Sequence, residues 1–482
     1  LTRGSRAGRG AGAPSGRQSG PSRGSGQGRQ SGGRRGPVRD EARNAAFDLL
    51  RAVDERDAYA NLLLPTLLRE RGLSGRDAAL ATELAYGSLR GLGTYDAIIG
   101  ACSDRPPDEI DPPLLDALRL GAHQLLRTRI PPHAAVSATV DLVRLRVGAG
   151  ASRFANAVLR KIASRDHDQW MPIVAPDAEE DPLGHLAVVH SHPRWIVSAF
   201  RDALGGDLRE TAELLAADNE RPGVTLVAWP GRSSVGELVD AGAVSSRFSP
   251  YAAYLPEGDP GSIQAVADGR AAVQDEASQL VALALTRVPV NGSDRAWLDM
   301  CAGPGGKAGL LDALAVQEGR NLLAADLRFH RSRLVWRATR RAAVITADGT
   351  APAWRTGAFD RVLVDAPCTG LGALRRRPES RWRRDPASVP EFTALQRRLL
   401  TSALDSARPG GVVAYVTCSP HLAETAAVVD DVVRRTGAAE VLPARRYLDE
   451  AGGLGDGPHA QFWPHRHGTD AMFLSLLRKL PD

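Results

Sequence analysis

Cysteine is scarce. Four in 482 residues cannot form a disulfide framework, which fits a reducing cytoplasm. No stretch approaches the roughly 20 uninterrupted apolar residues of a membrane helix. The basic N-terminal residues are followed by no apolar core of a secretory signal. A cytoplasmic protein without a membrane span is therefore expected. Lysine is almost missing: Lys161, Lys307 and Lys479 stand against 58 arginines. A lysine kept in a glycine loop then suggests chemistry that needs an ammonium on a flexible stem. Acidic residues are absent from residues 1–37, which hold eight Arg and twelve Gly. Such a tail cannot bury a core and is expected to be disordered. Its arginines suit non-specific RNA phosphate contact, or equally a dispensable solubilising role. Without them the net charge falls from +5 to −3.

What remains is ordinary globular material, 43% apolar and long enough for about three domains at roughly 100–200 residues each. Residues 38–166 read as an all-α bundle of six or seven helices. Ala42, Ala46, Phe47, Leu50 and Val53 follow one buried helical face, and Ala78, Ala81, Leu84, Ala85 and Leu89 repeat it. Pro112-Pro113 and Pro131-Pro132 open two more helices, and Phe154, Val158 and Ile162 close the set. Residues 167–190 are acidic, carry Pro, and read as a linker. Residues 191–270 read as a small α+β module.

From residue 271 to 482 strands and helices alternate. Strands are expected at Ala296–Met300, Leu322–Asp326, Ala343–Thr346, Arg361–Asp365 and Val412–Thr417. Helices are expected after Lys307, from Phe329, at 388–407 and at 421–435. The pattern predicts an α/β doubly wound, Rossmann-like parallel sheet, with ligands bound beyond the carboxyl ends of the strands.

The candidate residues follow those ends. Asp299-Met-Cys-Ala-Gly-Pro-Gly-Gly-Lys307 succeeds a strand and opens a helix. It is not a Walker loop, because Cys301 replaces the first glycine and Ala308 follows the lysine. Gly303-x-Gly305-x-x-Ala308, with Asp326 further on, fits a nucleoside-bearing cofactor and leaves NAD or S-adenosylmethionine open. Asp326 is placed to bind ribose hydroxyls, and Asp348 to accept from an adenine amino group. The bland alternative for each is a helix cap or turn former. Two cysteines discriminate: Asp365-Ala-Pro-Cys368 and Thr417-Cys418-Ser-Pro420 each follow a strand. Hydride transfer needs no such pair. Amino-group methylation needs an Asn/Asp-Pro-Pro-aromatic cluster, which is absent. Methylation of a pyrimidine at C5 does need a thiolate: its addition at C6 makes C5 nucleophilic, and a carboxyl group at N3 stabilises the adduct.

These three motifs resemble the signatures of the RsmB/NOP2/NSUN class of RNA cytosine-5 methyltransferases. The resemblance implies an enzyme in which Cys418 is the nucleophile, Cys368 helps release the product, and Asp365 contacts cytosine and cofactor. It also implies that Cys301, Ala302, Gly303, Pro304, Gly305, Gly306, Lys307, Asp326, Asp348 and Asp365 hold S-adenosylmethionine, and no metal is implied. The helical front resembles a NusB-like RNA-binding domain. With His192-Pro193-Arg194-Trp195 and Gln274-Asp-Glu-Ala-Ser-Gln279, it is similar to the bacterial ribosomal RNA small-subunit methyltransferase B branch. That branch methylates a 16S rRNA cytosine usually numbered 967, and a monomer is expected. Gly303 stands where the class more often has Ala. Thr369-Gly-Leu-Gly-Ala373 replaces a commoner Ser-Ala-Thr-Gly-type run. Competing readings are the same chemistry on tRNA or another rRNA cytosine, and an inactive RNA-binding assembly or antitermination factor.

One segment stands apart. Leu374–Arg384 carries Arg375, Arg376, Arg377, Arg381, Arg383, Arg384 and Trp382. Arginine meets phosphates and tryptophan stacks on bases, so RNA contact is expected here; the alternative is a solvated charge run. The target cytosine must leave its stack for C6 to be reached.

Overall fold

The computed structural model describes residues 40–481; the arginine–glycine tail expected at 1–37 lies outside them. Seven helices, Glu41–Arg56, Ala60–Glu70, Gly75–Arg90, Leu92–Cys102, Pro112–Arg127, Pro132–Arg146 and Ala149–Ile162, form the N-terminal bundle. The Asp40 carboxylate accepts the Arg43 N–H at the first N-terminus. Prolines start the fifth and sixth helices, where a missing N–H is harmless. Phe47, Leu84, Ile98, Leu118 and Leu159 meet in one core, each worth roughly 1.5–3 kcal/mol when fully buried.

Residues 167–190 are not the linker their composition suggests. They form two helices, His167–Val174 and Pro182–Val189. Two of the acids around this stretch are helix caps. Asp166 makes a reciprocal capping box with Gln169, and Asp181 accepts the Gly184 N–H. Trp170 is buried in the bundle core and donates its Nε1–H to the Ile162 carbonyl at 3.0 Å.

The region 191–270 divides into two parts. Its strands β1 (Val224–Ala228), β2 (Val244–Ser245) and β3 (Ala252–Leu255) make an antiparallel sheet with β4 (Ala271–Val273), which lies just beyond the expected boundary at 270, in the order β2-β3-β1-β4. Its helices Arg194–Ala203 and Leu208–Asn219 instead bury Ile196, Val197, Phe200 and Leu214 against Leu371, Leu374 and Trp463 of the C-terminal domain.

That domain is built on β5 (Ala296–Asp299), β6 (Asn321–Asp326), β7 (Ala343–Thr346), β8 (Phe359–Asp365), β9 (Ala407–Thr417), β10 (Ala439–Leu442), β11 (Ala460–Gln461) and β12 (Phe473–Lys479). The order is β10-β12-β9-β8-β5-β6-β7, with β11 beside β12. β5 to β9 are parallel, but β12 runs antiparallel to β9 and β10. The sheet is therefore mixed rather than purely parallel. Alternation along the central strands feeds both faces. Leu363, Val412, Ala414 and Val416 pack with helices Glu276–Arg287 and Gly306–Gln317. Val362, Val364, Val413 and Tyr415 pack with helices Val389–Ser406 and Ala426–Thr436. This sandwich leaves the carboxyl ends of β5, β6, β8 and β9, at Asp299, Asp326, Asp365 and Thr417, on one edge of the sheet.

Among the described residues no helix is long and apolar enough to cross a membrane.

Candidate active site

The loop after β5 is held between two strands. Met300 N–H donates to Leu363 O at 2.9 Å, and Ala302 N–H to Ala325 O at 2.8 Å. Gly305 has φ +117°, and a Cβ there would lie 2.8 Å from Ala338 Cβ and 3.1 Å from Val335 Cα. Only glycine lets the loop turn here and press against the helix Phe329–Ala338. At Gly303 a Cβ would come within 2.3 Å of Asp326 Oδ2. Without it, the Asp326 carboxylate accepts the Gly303 N–H at 3.0 Å and the Arg328 N–H at 2.9 Å. Arg331, which sequence reasoning did not single out, donates to the Gly303 carbonyl and stands 3.6 Å from Asp326.

Asp348 is exposed and accepts from both the N–H and the Oγ1–H of Thr350 at 2.8 Å. Those bonds hold its carboxyl below the usual range. In this structure it forms a turn after β7. Cys301 packs against the core of the C-terminal domain, where burial pushes its thiol up.

The remaining groups converge. Lys307 Nζ donates to Asp365 Oδ2 at 2.8 Å. Burial opposes the ammonium, but the Asp365 carboxylate outweighs it and leaves the lysine pKa raised. The Cys368 and Cys418 sulfurs are 3.4 Å apart. The two thiols are not equivalent. The hydrogen bond shared with Cys368 lowers the Cys418 pKa against burial and Asp365, and the Lys307 ammonium acts in the same direction. Cys368, sharing its proton with Cys418, buried, and facing Glu424, is raised well above a free thiol. A free thiol titrates near 8.5; of the two sulfurs, Cys418 is the one shifted toward the thiolate.

Glu424 is the residue that sequence reasoning missed most completely. Fully buried, it accepts from Thr369 N–H at 2.8 Å, Ser419 Oγ at 2.7 Å and Gln396 Nε2 at 3.2 Å, and also from Thr369 Oγ1. Thr369 follows Cys368 and Ser419 follows Cys418, so one carboxylate ties the two cysteine loops together. A lone Glu on a 3₁₀ turn carries no motif that could have revealed it.

Two buried polar groups fit a bound cofactor. Neither Asp299 oxygen has a hydrogen bond of normal geometry; the Cys301 N–H gives only slight relief. Gln274, 6% exposed, leaves both amide atoms unpaired beside Gly306. Burial, and then the nearby Asp365, push the Asp299 carboxyl up to about 8 from 3.8. In the ligand-free protein, folding thus takes up a proton that the unfolded chain releases above pH 4. The stability from this group is complete below about pH 4 and is lost as pH rises through about 8. Asp299→Asn is therefore expected to gain stability relative to the wild type between pH 5 and pH 8.5 in urea unfolding. A difference that does not change with pH would show that Asp299 titrates normally.

The basic segment is only partly where it was expected. Arg381 is fully buried and donates to Arg90 O, Ser191 O, Asn219 Oδ1 and Asp218 O. Arg383 donates to Val53 O and Ala58 O. The Trp382 ring lies where a Cβ on Gly93 would be 2.4 Å away. These three join the bundle to the C-terminal domain, and Arg381 in particular is closed to any phosphate. Arg384 lies over the Phe392 ring. Arg376 makes a forked pair with Asp470. Arg375 donates to Gly468 O at 2.6 Å, and Arg377 lies over the Tyr59 ring.

A family model described as 16S rRNA methyltransferase RsmB/F matches residues 285–478, and one for the NusB family matches residues 40–164. A Mycobacterium tuberculosis protein with the provisional name methyltransferase Rv1407 is 55% identical over 445 residues, 92% of this chain and 97% of that protein. The chain belongs to the RsmB/F methyltransferase family. Ribosomal RNA small subunit methyltransferase B of Escherichia coli is 29% identical over 448 residues, 90% of this chain and 97% of its own. In fold, the RsmB/F chain is similar to the crystal structure of PH0851, with a TM-score of 0.75, 22% identity, and coverage of 91% of this chain and 99% of that one. In this RsmB/F member the bundle is the NusB domain. The thiol pair, Lys307 and Asp365 lie in the methyltransferase domain.

Proposed function

We propose that the protein is an S-adenosylmethionine-dependent RNA cytosine-5 methyltransferase acting on a 16S rRNA cytosine, the position usually numbered 967. The observation that carries the chemistry is the pair of unequal thiols, Cys418 and Cys368, 3.4 Å apart at the sheet's carboxyl edge. Cytosine C5 is too weak a nucleophile to take a methyl group unaided. Addition of the Cys418 thiolate at C6 forms a sulfur–carbon bond and moves electron density to C5. Asp365, held by Lys307, is the carboxyl group for N3. Once C5 is methylated its proton must leave and the sulfur–carbon bond must break, and Cys368 serves that release.

S-adenosylmethionine supplies the methyl group when bound. The loop Cys301–Lys307, with Asp326, Asp348 and Asp365, is proposed to hold it. The Asp299 carboxyl beside the loop, which a bound cation would draw back to its ionised form, suits the cationic end of such a ligand. The rRNA target rests on the name of the Escherichia coli relative.

Two measurements test the reading. Calorimetry should detect S-adenosylmethionine and not NAD; tight NAD binding with no response to S-adenosylmethionine sinks it. Bisulfite sequencing of RNA from cells lacking the protein should show one 16S cytosine losing protection. Loss in tRNA instead moves the target, and no loss in any RNA removes the activity.

A further inference from the structure

A cavity of about 470 Å³ opens where the bundle, the β1–β4 sheet and the C-terminal domain meet. That volume is within the usual range for a ligand site. Its wall carries five arginines: Arg90 from the bundle, Arg221 from the approach to β1, and Arg375, Arg376 and Arg377 from the basic segment. Against them stand two carboxylates, Glu83 and Asp275. Glu83 is engaged by His123 at 3.2 Å. Asp275 is turned to the Ala277 and Asp470 N–H groups.

The arginines are unevenly satisfied. Arg376 has Asp470, and Arg375 has a single carbonyl while its Nε is buried without a partner. Among the described residues Arg90 makes no side-chain hydrogen bond or ion pair; its guanidinium lies 5.6 Å from the Tyr86 ring centre, and its Nε is buried and unpaired. Arg221 likewise has no hydrogen-bond or ion-pair partner among the described residues. Burial already lowers the pKa of Arg90, so its charge is held at a cost that a counter-anion removes. The cavity wall is also tied by hydrogen bonds to the loop that carries Cys418. Arg376 grips Asp470, the next residue's N–H donates to Gly372 O at 2.8 Å, and Gly372 N–H donates to Cys418 O at 2.9 Å.

We propose that this three-domain cavity seats the phosphodiester backbone of the RNA strand flanking the target cytosine, with Arg90, Arg221 and Arg377 meeting its phosphates. The inference rests on the RNA methyltransferase reading above and deepens it. The NusB bundle becomes a wall of the substrate site rather than an appended module. Arginine forks suit phosphate oxygens, and a single strand is what an unstacked target base requires.

Arg221 and Arg377 are exposed, so changing them leaves the cores intact. The test measures binding of a single-stranded 16S rRNA fragment containing the target cytosine to the full chain, by anisotropy from 50 to 200 mM salt. Arg221→Gln with Arg377→Gln should weaken binding on the order of tenfold and reduce the salt slope by about 0.7 per lost phosphate contact. S-adenosylmethionine affinity, read by calorimetry, should not move. Arg160→Gln, an exposed arginine of the bundle away from this cavity, is the control. A double variant that binds like the control, while the wild type binds and methylates, overturns this inference alone. A wild type that binds no RNA overturns the inference and the target reading together.

Discussion

Cys418→Ala is expected to lose turnover by on the order of ten-thousandfold and to form no covalent RNA adduct, whereas Cys368→Ala should accumulate one. The asymmetry follows from the geometry. Cys418 shares a hydrogen bond with Cys368 and has Lys307 as a nearby cation; Cys368 has Glu424 facing it. On the proposed mechanism, removing Cys418 removes the sulfur that would bond C6. Removing Cys368 leaves that sulfur in place and slows only the later cleavage of the bond, so enzyme stays on its product. A denaturing gel with labelled RNA should give a slow-migrating band for Cys368→Ala only, and the double variant should lose it. The band appearing with Cys418→Ala instead would exchange the roles. Activity retained in both single variants, with no band, would remove the covalent route. Loss of the Cys368 hydrogen bond should also raise the Cys418 pKa, so adduct formation by Cys368→Ala should need higher pH than the wild type's first step.

Arg381→Met should cost about 3–5 kcal/mol of stability, as expected when one partner of a buried charged network is removed. Four acceptors depend on this guanidinium: Arg90 O, Ser191 O, Asn219 Oδ1 and Asp218 O. They belong to the bundle, to the turn before the helix at 194, and to the end of the helix at 219. Asp218 adds to the penalty. Its buried carboxyl is pushed up to about 7, and Arg381 is the cation that most favours its ionised form. Arg381→Lys should recover little, because one ammonium cannot span acceptors arranged for a planar fork. Urea unfolding should reveal an earlier transition, with near-normal S-adenosylmethionine affinity in the folded baseline. A loss below about 1 kcal/mol would mean that water replaces the guanidinium easily.

The readable parts of this chain are those where local pattern and final environment agree. Apolar spacing at Ala42–Val53 and Ala78–Leu89 matches helices that do bury those faces. The strand ends bearing Asp299, Asp365 and Thr417 were legible because buried apolar runs give way there to loops bearing glycine or proline. Three features were not legible. The linker reading of 167–190 failed because Asp and Pro mark both loops and helix starts, and only tertiary docking of Trp170 decides between them. β12 was overlooked because an antiparallel strand at the chain's end has no helix to complete an alternating unit. The arginine run misled because charge alone does not report depth. Arg381 and Arg377 look alike in sequence, yet one is sealed between domains and the other is open. Glu424 and the cavity wall depend on residues brought together from distant segments, which spacing in one chain cannot express.

The seal around Arg381 also bears on the order of synthesis. Its partners lie far upstream: Arg90 is 291 residues earlier, and Arg383 reaches Val53 across 330. Closing such loops late in a free chain is slow, but a ribosome releases the N-terminal part first. The bundle and the helices at 194–219 are complete before the segment 374–384 is made. The segment 374–384, which follows Cys368 in the chain, is thus laid onto a surface already folded, and the final domain inherits its alignment from the first.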